Sequence, residues 1–188
     1  MIKPNDARDI ARDLLEQELP RRWVHTRGVA ARARSLADMF GEEGDLIQVA
    51  AWLHDIGYAR SVALTGFHSL DGARYLRALP EVPEVVCQLV AHHTGAAIEA
   101  DERGMPAISG EFASPPADLL DALTYCDLST AVDGVPTNVD DRLAEILRRY
   151  PAEHVVHRSI RRAEPLLRGA IRNVEELMAR GWSVEVGR

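Results

Sequence analysis

The chain has 188 residues, a length typical of one domain. Hydrophobic residues make up 46% of it and charged residues 27%, which supports a globular core and excludes a disordered or collagen-like chain. The formal net charge of −7 argues against broad nucleic-acid binding, because proteins of that class neutralise backbone phosphates with a surplus of basic residues.

Three further features indicate the compartment. The first twenty residues are rich in acids and lack the apolar run of a signal peptide. No segment approaches the ~20 apolar residues that would span a bilayer. Cys87 and Cys126 lie among apolar residues without CxxC spacing, which favours reduced, buried thiols. We therefore expect a cytoplasmic protein with no membrane partner. The sequence is compatible with either a monomer or a homo-oligomer.

The first third of the chain is predicted to form three helices. A first amphipathic helix begins at Pro4 and ends before Pro20. A second is predicted over residues 21–40. A third runs from Asp45 to just before Gly57 and is almost wholly apolar until its last residues. We expect this third helix to be central and buried.

Helical periodicity continues through most of the remaining chain. A fourth helix begins at His68, and a fifth ends in the pair His92-His93. Residues 94–114 contain glycines and a proline without a sustained period, which predicts a long loop. Further helices follow, including those expected over residues 137–180.

No alternation of apolar and polar residues lasts long enough to predict a sheet. The sequence therefore predicts an all-α fold of about seven to eight helices, forming one compact domain over residues 1–188. Its core is expected over roughly residues 20–130, with the helices of 137–180 packed on it.

Histidines and two aspartates stand at helix ends or on apolar helix faces. Asp55 follows AAWLH and Asp127 follows LLDALTYC. Each carboxylate needs a partner, since burying an unpaired charge is unfavourable. A divalent ion would satisfy these groups together, and a His/Asp set without thiolates favours Fe, Mn, Co, Ni or Zn, with Mg as a further candidate. The candidate ligands are His25, His54, Asp55, His68, His92, His93 and Asp127.

The order of these residues resembles a known family signature. His25, the doublet His54-Asp55 and Asp127 resemble the H…HD…D signature of the HD superfamily of metal-dependent phosphohydrolases, over roughly residues 20–130. The sequence HDIG at residues 54–57 matches the commonest form of this doublet in the family. HSLDGARYL at 68–76 and AHHTG at 91–95 resemble the elements of HD proteins that hold two metals.

The resemblance implies hydrolysis of a phosphoester or phosphoanhydride in a nucleotide or another small phosphorylated metabolite, with one or two metal ions. It implies a first ion held by His25, His54, Asp55 and Asp127. Asp55 would bridge to a second ion held by His68, His92 and His93. His54 and Asp55 are thereby catalytic, and Arg60, which follows the doublet, is expected to reach a substrate phosphate.

Alternatives remain at this point. An HD-fold di-iron oxygenase would use the same ligands, and a nucleotide-sensing HD module would keep them without catalysis. Asp118 or Asp121 could take the place of Asp127 as the metal carboxylate. Cyclic di-GMP is a poor substrate candidate, because the GYP extension that follows the double histidine in enzymes acting on it is absent here.

Overall fold

The computed structural model describes the backbone of residues 1–185 and the side chains of residues 1–180. It confirms the all-α prediction: residues 1–185 form nine α-helices and no strand beyond an isolated bridge between Thr130 and Pro136. The helices are α1 (Pro4–Leu15), α2 (Pro20–Leu36), α3 (Gly44–Leu53), α4 (His68–Arg77), α5 (Glu84–His92), α6 (Ala96–Glu102), α7 (Ala117–Leu128), α8 (Val139–Arg149) and α9 (Val155–Glu185). No helix within this range is long and apolar enough to cross a membrane.

Helix α3 lies at the centre, as its apolar sequence predicts. Ile47, Ala50 and Leu53 on it are completely buried. It packs against α1, α2, α5 and α7, so four helices surround it. Because α3 ends directly before His54 and Asp55, the protein places both residues at the base of this core rather than on its surface.

The long loop predicted over residues 94–114 is wrong in part. Ala96–Glu102 form α6, and short 3-10 turns cover 93–95 and 108–110. Helix α6 buries only Ala96 and Ala100 and packs against α9. A seven-residue helix with a face of alanines shows too little hydrophobic contrast to be recognised from periodicity, and it raises the helix count above the predicted seven to eight.

The turn between α3 and α4 brings two backbones together at Gly57. A Cβ atom at this position would lie 1.9 Å from the carbonyl oxygen of His68 and 2.7 Å from the amide nitrogen of Gly72. Only glycine permits this approach. The glycine of the HDIG motif therefore allows the start of α4, which includes His68, to pack against the end of α3.

A buried carboxylate fixes the loop that leads into α4. Asp71 accepts hydrogen bonds from the backbone amides of Leu64, Thr65 and Gly66, at 2.9–3.2 Å, and from the Thr65 hydroxyl at 2.8 Å. Such charge-assisted bonds are stronger than neutral ones. The loop is thus held on the first turn of α4, where His68 lies.

The last two helices lie on the same side of the core as the site described below. Asn138 caps α8, because its side-chain oxygen accepts a hydrogen bond from the Asp141 amide at 2.8 Å. Helix α9 packs on α6, α7 and α8. This packing places the inner face of α8, with Arg142, next to Asp127 of α7.

Candidate metal centre

Six of the seven predicted ligands meet in two adjacent groups. His25, His54 and Asp127 form the first group, and Asp55, His68 and His93 form the second. Within each group, one ligand atom from every residue lies within 4.8 Å of the others. All of these residues are buried except His68, which is partly buried. Residues that lie up to about a hundred positions apart in the sequence thus meet at a single site.

Five helices supply these side chains. His25 projects from α2, and Asp127 from the last turn of α7. His54 and Asp55 directly follow α3, His68 is the first residue of α4, and His93 directly follows α5. Helix ends position five of the six predicted ligands, all except His25, so small shifts of whole helices would separate them.

In the first group, backbone carbonyls fix the orientation of both imidazoles. His25 Nδ1 donates to the Ala131 carbonyl at 3.0 Å, and His54 Nδ1 donates to the Ala51 carbonyl at 2.8 Å. Each Nε2 is therefore turned into the site. The Nε2 of His25 lies 3.0 Å from Asp127 Oδ1, whereas the Nε2 of His54 is buried without a hydrogen-bond partner among the described residues.

The second group shows the same arrangement. His93 Nδ1 donates to the Val90 carbonyl at 2.6 Å, which turns its Nε2 toward His68 Nε2 at 3.2 Å. Asp55 Oδ1 lies 3.7 Å from His68 Nε2, and Asp55 Oδ2 lies 3.3 Å from His54 Nε2. The two oxygens of Asp55 therefore face different groups, and Asp55 connects them.

The carboxylates of the site are held ionised. Burial alone would raise the pKa of Asp55, but the charge of Arg22 and the neighbouring His54 keep it well below its usual value. Burial acts on Asp127 in the same direction, and the hydrogen bond and charge of His25 hold its pKa far below the usual range. Both groups are thus in the form that binds cations.

The imidazoles of the second group are held neutral. Burial lowers the pKa of His68 well below its usual value, and the neighbouring His93 lowers it further. Burial and His54 likewise lower the pKa of His93. His68 and His93 are therefore in the neutral form, which is the form that ligates a metal. In the first group, burial also disfavours the charged form of His54, but the nearby Asp55 outweighs it and raises the pKa.

Asp127 receives additional support from Thr94. The Thr94 hydroxyl donates to Asp127 Oδ2 at 2.6 Å, from a backbone with a φ of 49° that non-glycine residues rarely adopt. The alternative carboxylates lie elsewhere: Asp118 is exposed, and Asp121 accepts a hydrogen bond from Asn173 at 2.7 Å. Among these three aspartates, the structure brings only Asp127 to the site.

The remaining predicted ligand, His92, points away. Its Nε2 donates to the Phe112 carbonyl at 2.9 Å, and it belongs to neither ligand group. Consecutive residues at a helix end project about 100° apart, so His92 and His93 face different surroundings. The structure therefore does not bring His92 to the site.

The predicted phosphate contact, Arg60, does not line the cavity at the ligands. Its side chain is 92% exposed, and its Nε lies 3.5 Å from Glu18 Oε1 at the surface. The chain leaves the helical conformation at Ala59, where ψ is 137°, and this directs the next residue outward. Proximity to the HD doublet in sequence does not translate into proximity in space.

A different arginine, Arg22, occupies the position expected of Arg60. Its Nη1 donates to Asp55 Oδ2 at 2.6 Å, and its guanidinium lies 3.6 Å from the centre of the Tyr58 ring. Tyr58 in turn stacks on His68 with 4.1 Å between ring centres. The sequence carries one signal for Arg22: it precedes His25 by three residues, a spacing that places both on one helix face.

Comparison with known proteins agrees with this geometry. The HD domain family matches residues 22–132, which is more than half of the chain and spans every ligand of both groups. Ribonuclease Y from Rhodopirellula baltica is 42% identical over 69 residues, which are 37% of this chain and 13% of that protein. The chain thus covers a small part of this relative, and no solved structure matches. Because the family match and the convergent His/Asp ligands agree, the chain belongs to the HD domain family.

Proposed function

We propose that the protein is a metal-dependent phosphohydrolase acting on a phosphoester or phosphoanhydride of a nucleotide or another small phosphorylated metabolite. The observation that carries this proposal is the pair of adjacent ligand groups connected by Asp55. Arginines beside this pair supply the charge that a phosphate requires. An oxygenase acting on a neutral substrate would have no need of such a cationic lining.

The residues fit divalent transition ions. His54 Nε2 is a buried ring nitrogen that lies 3.3 Å from Asp55 Oδ2 but makes no hydrogen bond with a described side chain, and such an atom is unfavourable unless a ligand satisfies it. The remaining donors are imidazole nitrogens and carboxylate oxygens, which suit Fe, Mn, Co, Ni or Zn. Since Asp55 faces both groups, we infer two ions: His25, His54 and Asp127 would hold one, and Asp55, His68 and His93 would hold the other.

Metal ions of this kind polarise phosphoryl oxygens and lower the pKa of water toward neutrality. The protein's own residues then orient the reaction. Arg22 lies against Asp55 at the cavity wall, where its guanidinium is placed to hold a phosphoryl oxygen. Thr94 and His25 fix the two oxygens of Asp127, and Tyr58 holds the ring of His68 by stacking.

The test is a metal assay followed by a substrate panel. The purified protein is expected to contain divalent transition metal, and to release phosphate from nucleotides or small phosphate esters when supplied with Mn, Fe, Co or Mg. A short oligoribonucleotide belongs in the panel because of the local similarity to Ribonuclease Y. A metal-loaded protein that hydrolyses none of these compounds, or that consumes oxygen with an organic substrate instead, would contradict the proposal.

Separate substitutions of Arg22 and Arg60 distinguish proximity to the HD doublet in sequence from proximity to the site in space. We expect Arg22→Gln to lower kcat/KM about tenfold or more, because a charged donor at the phosphoryl position is lost. We expect Arg60→Gln to change it less than about twofold, since an exposed ion pair contributes little. Steady-state kinetics on the best substrate of the panel measures both. Equal effects of the two variants would refute the assignment of Arg22.

A further inference from the structure

A larger groove adjoins the metal centre. The cavity directly at the ligands measures about 100 Å³, whereas cavities that hold whole small ligands are typically ~300–1,000 Å³. The adjacent groove measures about 670 Å³ and shares Arg22, His25, Arg142 and Arg149 with the cavity. The cavity at the ligands has room for a phosphoryl group, and the adjacent groove has room for the remainder of a substrate.

The groove carries a surplus of positive charge. Its lining includes four arginines and two glutamates, together with an apolar wall that contains Pro20 and Val132. Arg142, Arg149 and the glutamate between them, Glu145, lie along one face of α8, because residues three, four and seven apart on a helix share a face. We call Arg142, Glu145 and Arg149 the α8 triad.

Arg142 is the buried member of the α8 triad. Its side chain is 9% exposed, its Nη1 donates to Glu145 Oε2 at 2.8 Å, and its Nη2 lies 3.9 Å from Asp127 Oδ1. Its Nε has no hydrogen-bond partner among the described residues. A guanidinium stays charged when buried. The protein therefore maintains a buried cation with one unpaired donor, Nε, at the boundary between the metal centre and the groove.

Arg149 is the exposed member of the α8 triad. Its Nε donates to Glu145 Oε1 at 3.0 Å, so the two oxygens of Glu145 bind the two guanidiniums. A single carboxylate between two guanidiniums leaves a net charge of +1 on the triad. It also holds both guanidiniums on the groove side of α8, which reduces the conformational entropy that a bound anion has to overcome.

We infer that the α8 triad binds a second phosphate group of the substrate, with Arg142 and Arg149 as the residues that contact it. The substrate class is therefore a compound that carries at least two phosphate groups, one at the metal centre and one in the groove. This inference rests on the proposed function for the identity of the first site. It selects diphosphates and longer phosphate chains over simple monophosphates.

Equilibrium binding to the metal-loaded protein tests the inference without requiring turnover. The probes are methylenediphosphonate, which carries two phosphonates, and methylphosphonate, which carries one. Arg149→Gln is expected to weaken the binding of methylenediphosphonate about tenfold and that of methylphosphonate less than about twofold. Arg148→Gln is the matched control, because Arg148 is the exposed neighbour on α8 and does not line the groove. It is expected to change either affinity less than about twofold.

The inference is overturned if Arg149→Gln and Arg148→Gln have the same effect, or if Arg149→Gln weakens both probes equally. Chelation of protein-bound metal by the diphosphonate is common to all variants and cancels in their ratios when elemental analysis shows equal metal content before and after binding. A protein that selects the diphosphonate through Arg149 but hydrolyses nothing would contradict only the proposed function. A protein that hydrolyses phosphate esters without this selectivity would contradict only the role of the α8 triad.

Discussion

Replacing His54 by asparagine is expected to remove most of the metal and, with it, the hydrolytic activity. The amide nitrogen of asparagine can take the place of Nδ1 and keep the hydrogen bond to the Ala51 carbonyl. The Nε2 atom, which is the proposed donor to the metal, is lost. Because replacing a residue that only hydrogen-bonds to a metal ligand already costs about 10–100-fold in metal affinity, we expect a loss of at least about 100-fold here.

His92→Gln is the matched control for this experiment. A glutamine amide can replace the Nε2 donor of His92 and keep the bond to the Phe112 carbonyl. Metal content after dialysis, measured by elemental analysis, is expected to be unchanged in this variant and strongly reduced in His54→Asn. If His92→Gln loses as much metal as His54→Asn, then His92 is a ligand, as the sequence predicts, and the orientation of its ring is incorrect.

Six of the predicted ligands could be singled out from the sequence because their chemistry is exceptional for their surroundings, and the structure brings these six together. Asp55 and Asp127 stand in strongly apolar helices, and a charge in such a place requires a partner. The helices that carry the ligands are also predicted well, because α3 and α5 show sustained apolar patterns. The structure then brings Asp127 rather than Asp118 or Asp121 to the site.

The arginines are not predicted because an arginine on a surface looks the same in sequence as one in a site. Arg22 and Arg142 are distinguished only by the way α2 and α8 pack, which sequence periodicity does not specify. Arg60 illustrates the opposite error, since it lies close to the doublet in sequence but is turned outward by the extended backbone at Ala59. Charged residues with long side chains therefore need tertiary information.

Replacing Gly57 by alanine is expected to destabilise the fold by about 3 kcal/mol, which lowers the melting temperature by about 6–12 °C. The new Cβ would lie 1.9 Å from the His68 carbonyl oxygen and 2.7 Å from the Gly72 nitrogen. Both are backbone atoms, which cannot rotate away as a flexible side chain can. The start of α4 must therefore move, and His68 moves with it. We expect metal content to fall together with stability.

The matched control lies on the other side of the same contact. A Cβ at Gly72 would lie 3.2 Å from the Gly57 nitrogen and 3.4 Å from Val90 Cγ1, so a shift of a few tenths of an ångström accommodates it. Alanine is also the better helix former, by roughly 1 kcal/mol. Gly72→Ala is therefore expected to stay within about 1 kcal/mol of the parent protein in thermal unfolding. Unfolding of Gly57→Ala at the same temperature as Gly72→Ala would contradict the close approach of the two backbones at this turn. The position of His68 beside the other residues of the second group would then not depend on a glycine at residue 57.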